Sequence, residues 1–206
     1  MLETGFHAYT RLDDDPFKVN GTIGRCIRQL ELEILDDAGR PVPRGQSGEL
    51  AAKGPSVHLG YLDNPNANQD SFTDDGWFRT GDLGEFVDEV GNVRISGRKK
   101  EIINRGGKKY FPREIEEILY EHPAFLHLAV VGLPDQRLGE RNCLCAVLKP
   151  GASVTLEEVV ALLKGRVADY KLPEQLELMP DLPMTPTGKV RRPELVKQLM
   201  SISRER

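Results

Sequence analysis

Cysteine is scarce in this chain. Cys26, Cys143 and Cys145 make an odd number at spacings that match no zinc ligand set, and the four histidines stand singly. Reduced thiols are therefore expected, with neither a disulfide framework nor a zinc site. Cys143 and Cys145 fall two apart in a short apolar run, the spacing of one face of a strand. Long hydrophobic runs are also missing: no stretch reaches the roughly 18 apolar residues of a membrane span, and residues 1–20 lack the basic-then-apolar order of a secretory signal. The expectation is a cytoplasmic protein without a membrane span. An excess of positive charge is lacking too, since the net charge is -4, which gives no support to nucleic-acid binding. Internal repeats and low-complexity tracts are absent.

The 206 residues, 39% hydrophobic, suffice for one large or two small cores. Charge is unevenly placed: residues 1–93 carry 8 basic and 17 acidic side chains, residues 94–206 carry 20 and 15. Seven of the basic residues lie between Arg94 and Lys109, opposed only by Glu101. On charge alone this is either a solvated basic hairpin or a surface suited to polyphosphate.

The first part is rich in Asp, Gly and Pro with short alternating runs: Gln29–Asp36 closed by the turn Asp36–Arg40, then Gly48–Gly54, then Gly84–Ser96. These predict β-hairpins packing a small barrel or sandwich. Residues 1–20 show no such pattern and read as a severed connection. After Gly97 strands alternate with helices. Pro112 opens a helix with Ile115, Ile118 and Leu119 on one face, ended by Pro123. Residues 126–134 and 143–150 read as buried strands. Thr155 and Glu158 have capping-box spacing ahead of a stripe of Leu156, Val159, Val160 and Leu163. A third strand at 174–180 and an amphipathic helix at 192–200 complete the second part. The expected fold is α+β: a β-rich, barrel-like segment over 1–97 from the end of a large domain, then a small domain over 98–206 with a central sheet and flanking helices.

Three clusters carry candidate chemistry. In Phe78–Gly84, Asp82 follows a glycine turn, where it can accept hydrogen bonds from both hydroxyls of a ribose or cap its own turn. Gly97–Glu116 combines Arg98 and a run of charge with the Gly106-Gly107 pair; this suits either a long ligand with phosphate at one end or a plain hairpin turn. Leu182–Arg192 is a mobile-looking Pro/Thr/Gly loop ending near Lys189. It is not a Walker loop, because Pro183 and Val190 stand where that motif needs glycine and Ser or Thr. Its lysine is either solvated or a movable charge for a closed site.

In this order and spacing the three clusters resemble the adenylate-forming superfamily of acyl-CoA synthetases, peptide-synthetase adenylation domains and luciferases. The resemblance covers essentially the whole chain. It implies that Asp82 in Arg79-Thr80-Gly81-Asp82 holds the ribose of ATP or AMP with Thr80 beside the nucleotide, that Arg98 lies near the nucleotide, and that Lys100 is the hinge between two domains. It further implies that Gly106 and Gly107 line the pantetheine path of coenzyme A and that Lys189 bridges the carboxylate substrate and the α-phosphate. Met1-Leu2-Glu3-Thr4 resembles the end of an aromatic-Gly-x-Thr-Glu motif, with Leu2 in the threonine position, which would make Glu3 the magnesium-associated glutamate. Tyr110 and Met184 depart from the usual pattern. Nothing matches the family's Ser/Thr/Gly-rich phosphate loop, so the expectation is the C-terminal portion of an acyl-CoA synthetase, incomplete by itself, whose substrates would be a fatty, aromatic or alicyclic carboxylic acid, ATP with magnesium, and coenzyme A. A lysine acetyltransferase acting on Lys189 would be a regulatory partner. Three alternatives stay open: a domain loading a carrier protein, a non-catalytic nucleotide or CoA-binding module, and an interaction domain that kept only the fold.

Overall fold

A computed structural model describes the backbone of residues 1–205 and the side chains of residues 1–201. The chain divides into two units, Met1–Lys100 and Glu101–Arg206, each described by itself.

The first unit opens with β1 (Ala8–Tyr9), α1 (Pro16–Gly21) and β2 (Arg25–Cys26), where the sequence showed no pattern. Polar contacts build this stretch: Asp15 caps α1 by accepting from the Lys18 amide, Pro16 occupies the first turn, and Arg25 pairs with Asp14 at 2.8 Å. The alternating runs then form β3 (Glu31–Leu35) and β4 (Gly48–Lys53). Helix α2 (Pro65–Ser71) is capped by Asn64 and buries no residue, so hydrophobic periodicity cannot reveal it. Strands β5 (Phe78–Phe86) and β6 (Val93–Arg98) complete an antiparallel meander in the order β3-β4-β5-β6. Ile34, Leu50 and Val93 form its buried face, with Ile23, Leu32, Val42, Phe86 and Ile95 packed around them. The sheet is open where the sequence suggested a barrel-like segment: these four strands are too few to close on themselves.

The second unit begins with a tight hairpin of β7 (Ile103–Arg105) and β8 (Lys108–Tyr110), followed by α3 (Arg113–Leu119). The long antiparallel pair β9 (Phe125–Asp135) and β10 (Gly139–Leu148) comes next, then α4 (Leu156–Leu163), β11 (Gln175–Leu178) and α5 (Arg192–Glu205). On its other edge β10 pairs in parallel with β11 and, at Gly139, antiparallel with β7. Side chains alternate in register across the sheet. Leu128, Val130, Leu144 and Ala146 face Ile115, Leu119, Val159 and Leu163 of α3 and α4; Ala129, Val131, Cys143, Cys145 and Val147 face Leu195 and Leu199 of α5. A sheet covered on both faces explains why residues 126–134 and 143–150 read as nearly continuous apolar runs. Cys143 and Cys145 are fully buried on one face with their sulfurs 3.9 Å apart. Thr155 and Glu158 form the expected reciprocal cap of α4.

Candidate functional site

In the first unit the register between β4 and β5 breaks. Glu49 pairs with Leu83 and Ala51 with Arg79, so Leu50 alone faces Thr80, Gly81 and Asp82. The surplus residues bulge out of the sheet, with Gly81 supplying the positive φ of 74°. Thr80 clamps the bulge: its hydroxyl donates to the Leu50 carbonyl at 2.7 Å and accepts from the Asp82 amide at 3.1 Å, replacing lost ladder bonds. Asp82 faces Arg98 across β5 and β6, and Arg98 Nε donates to Asp82 Oδ1 at 2.9 Å. The carboxylate is only partly covered, which suits it to accept further hydroxyl donors such as a ribose diol. The motif is thus a bulge that aims a carboxylate, beside a guanidinium that fixes its orientation.

Lys99 and Lys100 follow in a 3-10 turn, Lys99–Glu101. Lys99 Nζ lies 2.9 Å from Asp37 and 3.2 Å from Glu49, and these hydrogen bonds, Asp37's foremost, hold its ammonium pKa above the ordinary lysine value despite partial burial. Glu49 is 6% exposed and also takes Arg79 at 3.1 Å. Lys100 is exposed, and its side chain makes no hydrogen bond or ion pair among the described residues.

Gly106 and Gly107 are the two central residues of the β7–β8 turn, with Arg105 opposite Lys108 and φ angles of 60° and 81°. Positive φ at both positions is the pattern of a two-residue hairpin. A Cβ on Gly107 would meet nothing within 4 Å, so this backbone is bare to an incoming ligand. Tyr110 is buried in the α3/α4 core, where burial pushes its phenol pKa up.

The mobile-looking loop around Lys189 is a closed hairpin. The Thr185 amide donates to the Lys189 carbonyl at 2.8 Å, the Gly188 amide to the Thr185 carbonyl at 2.9 Å, and the Lys189 amide to the Thr185 hydroxyl at 3.1 Å. Pro186 occupies the second turn position and Gly188, at φ 79°, the fourth, as a type I turn with a glycine bulge requires. Met184 and Val190 pair across the hairpin and pack against the α5 core, which gives Met184 an anchoring role. Lys189 itself is exposed.

Reading by motif gave Arg192 no partner, and the structure supplies one that carried no motif. Arg192 makes a two-pronged pair with Glu116 of α3, both contacts 2.9 Å, and donates to the Val130 carbonyl at 2.7 Å, while Glu116 accepts the Val130 amide at 2.6 Å. Glu101 adds a contact at 3.6 Å. Burial works against the Arg192 charge, but Glu116 outweighs it and the guanidinium pKa is raised. The available signal was a glutamate at helical spacing on an otherwise apolar stripe, Glu116 with Leu119. In the first unit, Tyr61 Oη is 3.5 Å from the Glu3 carboxylate, and the Glu3 carbonyl accepts the His58 amide at 2.8 Å. The described residues hold no cluster of three acidic, His or Cys groups fit for a metal ion.

Comparison with known proteins adds independent findings. The family described as AMP-binding enzyme matches residues 1–62, and that described as AMP-binding enzyme C-terminal domain matches residues 114–189. The chain is 42% identical over 200 residues to a medium-chain fatty-acid–CoA ligase of Escherichia coli (strain K12), covering 96% of this chain and 35% of that protein. It is also 42% identical over 200 residues to a salicyl-AMP ligase / salicyl-S-ArCP synthetase of Mycobacterium tuberculosis, with the same coverage. ATP-bound MatB from Rhodopseudomonas palustris superposes with a TM-score of 0.85 at 33% identity, over 97% of this chain and 39% of that one. The chain spans about a third of the length of the curated relatives it matches.

Proposed function

Because the chain belongs to the adenylate-forming superfamily, we propose that it supplies the ribose-binding strand, the pivot and the mobile lysine of an acyl-CoA ligase, an acid–thiol ligase that converts a carboxylate and ATP to acyl-AMP and then passes the acyl group to coenzyme A. The observation that carries this reading is the Thr80-Gly81-Asp82 bulge, a backbone deformation with one evident product: a carboxylate braced by Arg98 and open to a diol.

The residues divide the work as follows. Asp82 binds the ribose hydroxyls, and Arg98 keeps its carboxylate oriented. A carboxylate must then approach an already anionic α-phosphate. Lys189, at the tip of a preorganised hairpin, offsets that repulsion, a contribution on the order of 3–4 kcal/mol for one well-placed donor. A change of backbone angle at Lys100 withdraws the lysine once acyl-AMP exists and brings the bare Gly106-Gly107 turn forward for the thiol-bearing arm of coenzyme A. Glu3 would hold magnesium, with no cluster of three acidic, His or Cys groups among the described residues, which fits an ion that keeps most of its shell as water and phosphate oxygen; bound there, the ion would neutralise phosphate charge. Substrates of this reading are fatty, aromatic or alicyclic acids handled in the cytoplasm. The exposed Lys189 is open to a lysine acetyltransferase, whose product would lack the charge adenylation needs.

One finding favours a second acceptor. The Mycobacterium tuberculosis relative is described as a salicyl-S-ArCP synthetase, so the pantetheine arm served by Gly106-Gly107 can be that of a carrier protein. The test is AMP titration into the 15N-labelled 206-residue chain. Shifts of the amides of Thr80–Leu83 and Arg98 that vanish in Asp82→Ala support the reading. AMP binding elsewhere, or unaltered in Asp82→Ala, would refute it.

A further inference from the structure

The proposed pivot is a single residue in a continuous chain, and its neighbours decide whether motion stays there. Lys99, immediately before it, reaches Glu49 at 3.2 Å and Asp37 at 2.9 Å, both within the first unit. Glu49 is 6% exposed and serves Arg79 as well. Glu101, immediately after it, reaches Arg192 at 3.6 Å within the second unit. Arg192 is itself immobilised by two bonds to Glu116 and one to the Val130 carbonyl. Between these anchored residues Lys100 is exposed and makes no side-chain bond among the described residues.

We propose that Glu49 and Arg192 are positioning residues that clamp the chain on either side of Lys100, so that rotation is confined to that one residue. This rests on the reading of Lys100 as pivot. Glu49 is held by Arg79 and Arg192 by Glu116, so each presents a fixed and poorly solvated counter-charge to Lys99 or Glu101 that does not drift with the linker. Hinges work by concentrating φ/ψ change in a few residues between rigid neighbours, and the clamps create those neighbours. They also join the pivot to the reactive groups. Arg79, which shares Glu49 with Lys99, adjoins Thr80 at the start of the bulge. Arg192 lies three residues beyond Lys189, so the chain that leaves the Lys189 hairpin carries the guanidinium that meets Glu101. A turn at Lys100 therefore carries the lysine as part of a rigid body instead of dissipating in a slack linker.

The experiment is backbone 15N relaxation and relaxation dispersion across residues 97–103 of the 206-residue chain. In the unaltered chain, order parameters should fall below about 0.6 at Lys100, with its neighbours near 0.85. Glu49→Gln should spread the loss to Arg98 and Lys99 and leave Glu101 ordered; Arg192→Met should spread it to Glu101 and Ile102 and leave Lys99 ordered. Because both substitutions touch buried groups, Lys99→Met and Glu101→Gln, which open the same clamps from their more exposed ends, must give the same two patterns. Mobility at Lys100 with flanks unchanged in all four variants would overturn the clamps and leave the pivot standing. A Lys100 as rigid as its neighbours in the unaltered chain would overturn both.

Discussion

Glu116→Leu isolates the least exposed ion pair among the described residues of the second unit. Val130 sits on the edge of β9 away from β10, the one strand that pairs with β9 among the described residues, and points its amide and carbonyl away from the sheet. Glu116 accepts that amide at 2.6 Å and Arg192 donates to that carbonyl at 2.7 Å, so the pair finishes the edge much as another strand would. Leucine removes the carboxylate, strands the Arg192 guanidinium, whose side chain is 19% exposed, and frees a backbone donor. Breaking a buried pair from one side costs about 3–5 kcal/mol. The lower end applies here, about 3 kcal/mol, because Arg192 keeps Glu101 and the Val130 carbonyl. With a urea slope of about 1.5 kcal/mol/M for a unit of this size, the midpoint should fall by about 2 M. The chain carries its own control: Trp77, the only tryptophan, lies in the first unit, whereas α3, α4 and α5 dominate the helical signal from the second. Circular dichroism should record the shift, and Trp77 fluorescence should not. Adding Arg192→Met should recover most of the loss, since two apolar groups leave no charge stranded. A midpoint change below about 0.5 M, or an equal shift of the Trp77 transition, would refute the reasoning.

Gly107→Val should destabilise the second unit by about 1–2 kcal/mol and Gly107→Asn by clearly less, because a β-branched residue resists the positive φ that asparagine tolerates; space around the Cβ is open in both cases, so equal melting temperatures by circular dichroism would contradict the turn assignment. In the first unit, burial pushes the Asp88 carboxyl up, but hydrogen bonds from the Asn92 side chain and backbone and from Lys18 outweigh it and hold it at about 2. A folded-state value below the ordinary 3.8 stabilises the native state above that pH, and the contribution is lost as pH falls toward about 2. Acid titration of Trp77 fluorescence should show Asp88→Asn less stable at neutral pH and with a shallower loss in that window; identical acid limbs would count against it.

What the sequence made legible follows from how each element is held. The nearly continuous apolar runs of residues 126–134 and 143–150 and the Thr155/Glu158 cap announce elements built on burial and local capping, and these appear in the structure. Helices α1 and α2 bury nothing; their only trace is Asp15-Pro16 and Asn64-Pro65, start signals without a stripe behind them. The change of pattern at Gly97 falls inside β6, which runs on to Arg98 because that residue pairs with Asp82 across the sheet. The turns of the candidate site were legible where a backbone conformation demands particular residues, as at Gly81 and Gly106-Gly107, whereas the segment before Lys189, which looked mobile, is a hydrogen-bonded hairpin. Its long-range partners were not: no local rule joins Glu116 to Arg192 across 76 residues or Glu49 to Lys99 across 50.

That distinction sorts the basic residues that charge alone could not. The run from Arg94 to Lys109 and the Arg191-Arg192 pair look equivalent in sequence, and all could serve a polyphosphate. In the folded chain Lys99 and Arg192 are occupied by buried carboxylates, and Arg105 is bound twice by Glu174. A cation already neutralised at short range projects little field toward a ligand, and releasing it would leave its partner unpaired. Lys189 differs: it is exposed, its hairpin is held entirely by backbone and threonine bonds, and no acidic side chain of the described residues pairs with it. Its backbone is thus held without cancelling its charge, which is consistent with the role proposed for it above. Arg98 stands between the two classes, spending one bond on Asp82 to orient the carboxylate while its side chain stays 56% exposed. Arg98 apart, the charges that hold the fold and those left unpaired are different residues, and on the function proposed above substitutions of the first should register as loss of stability before any loss of nucleotide affinity.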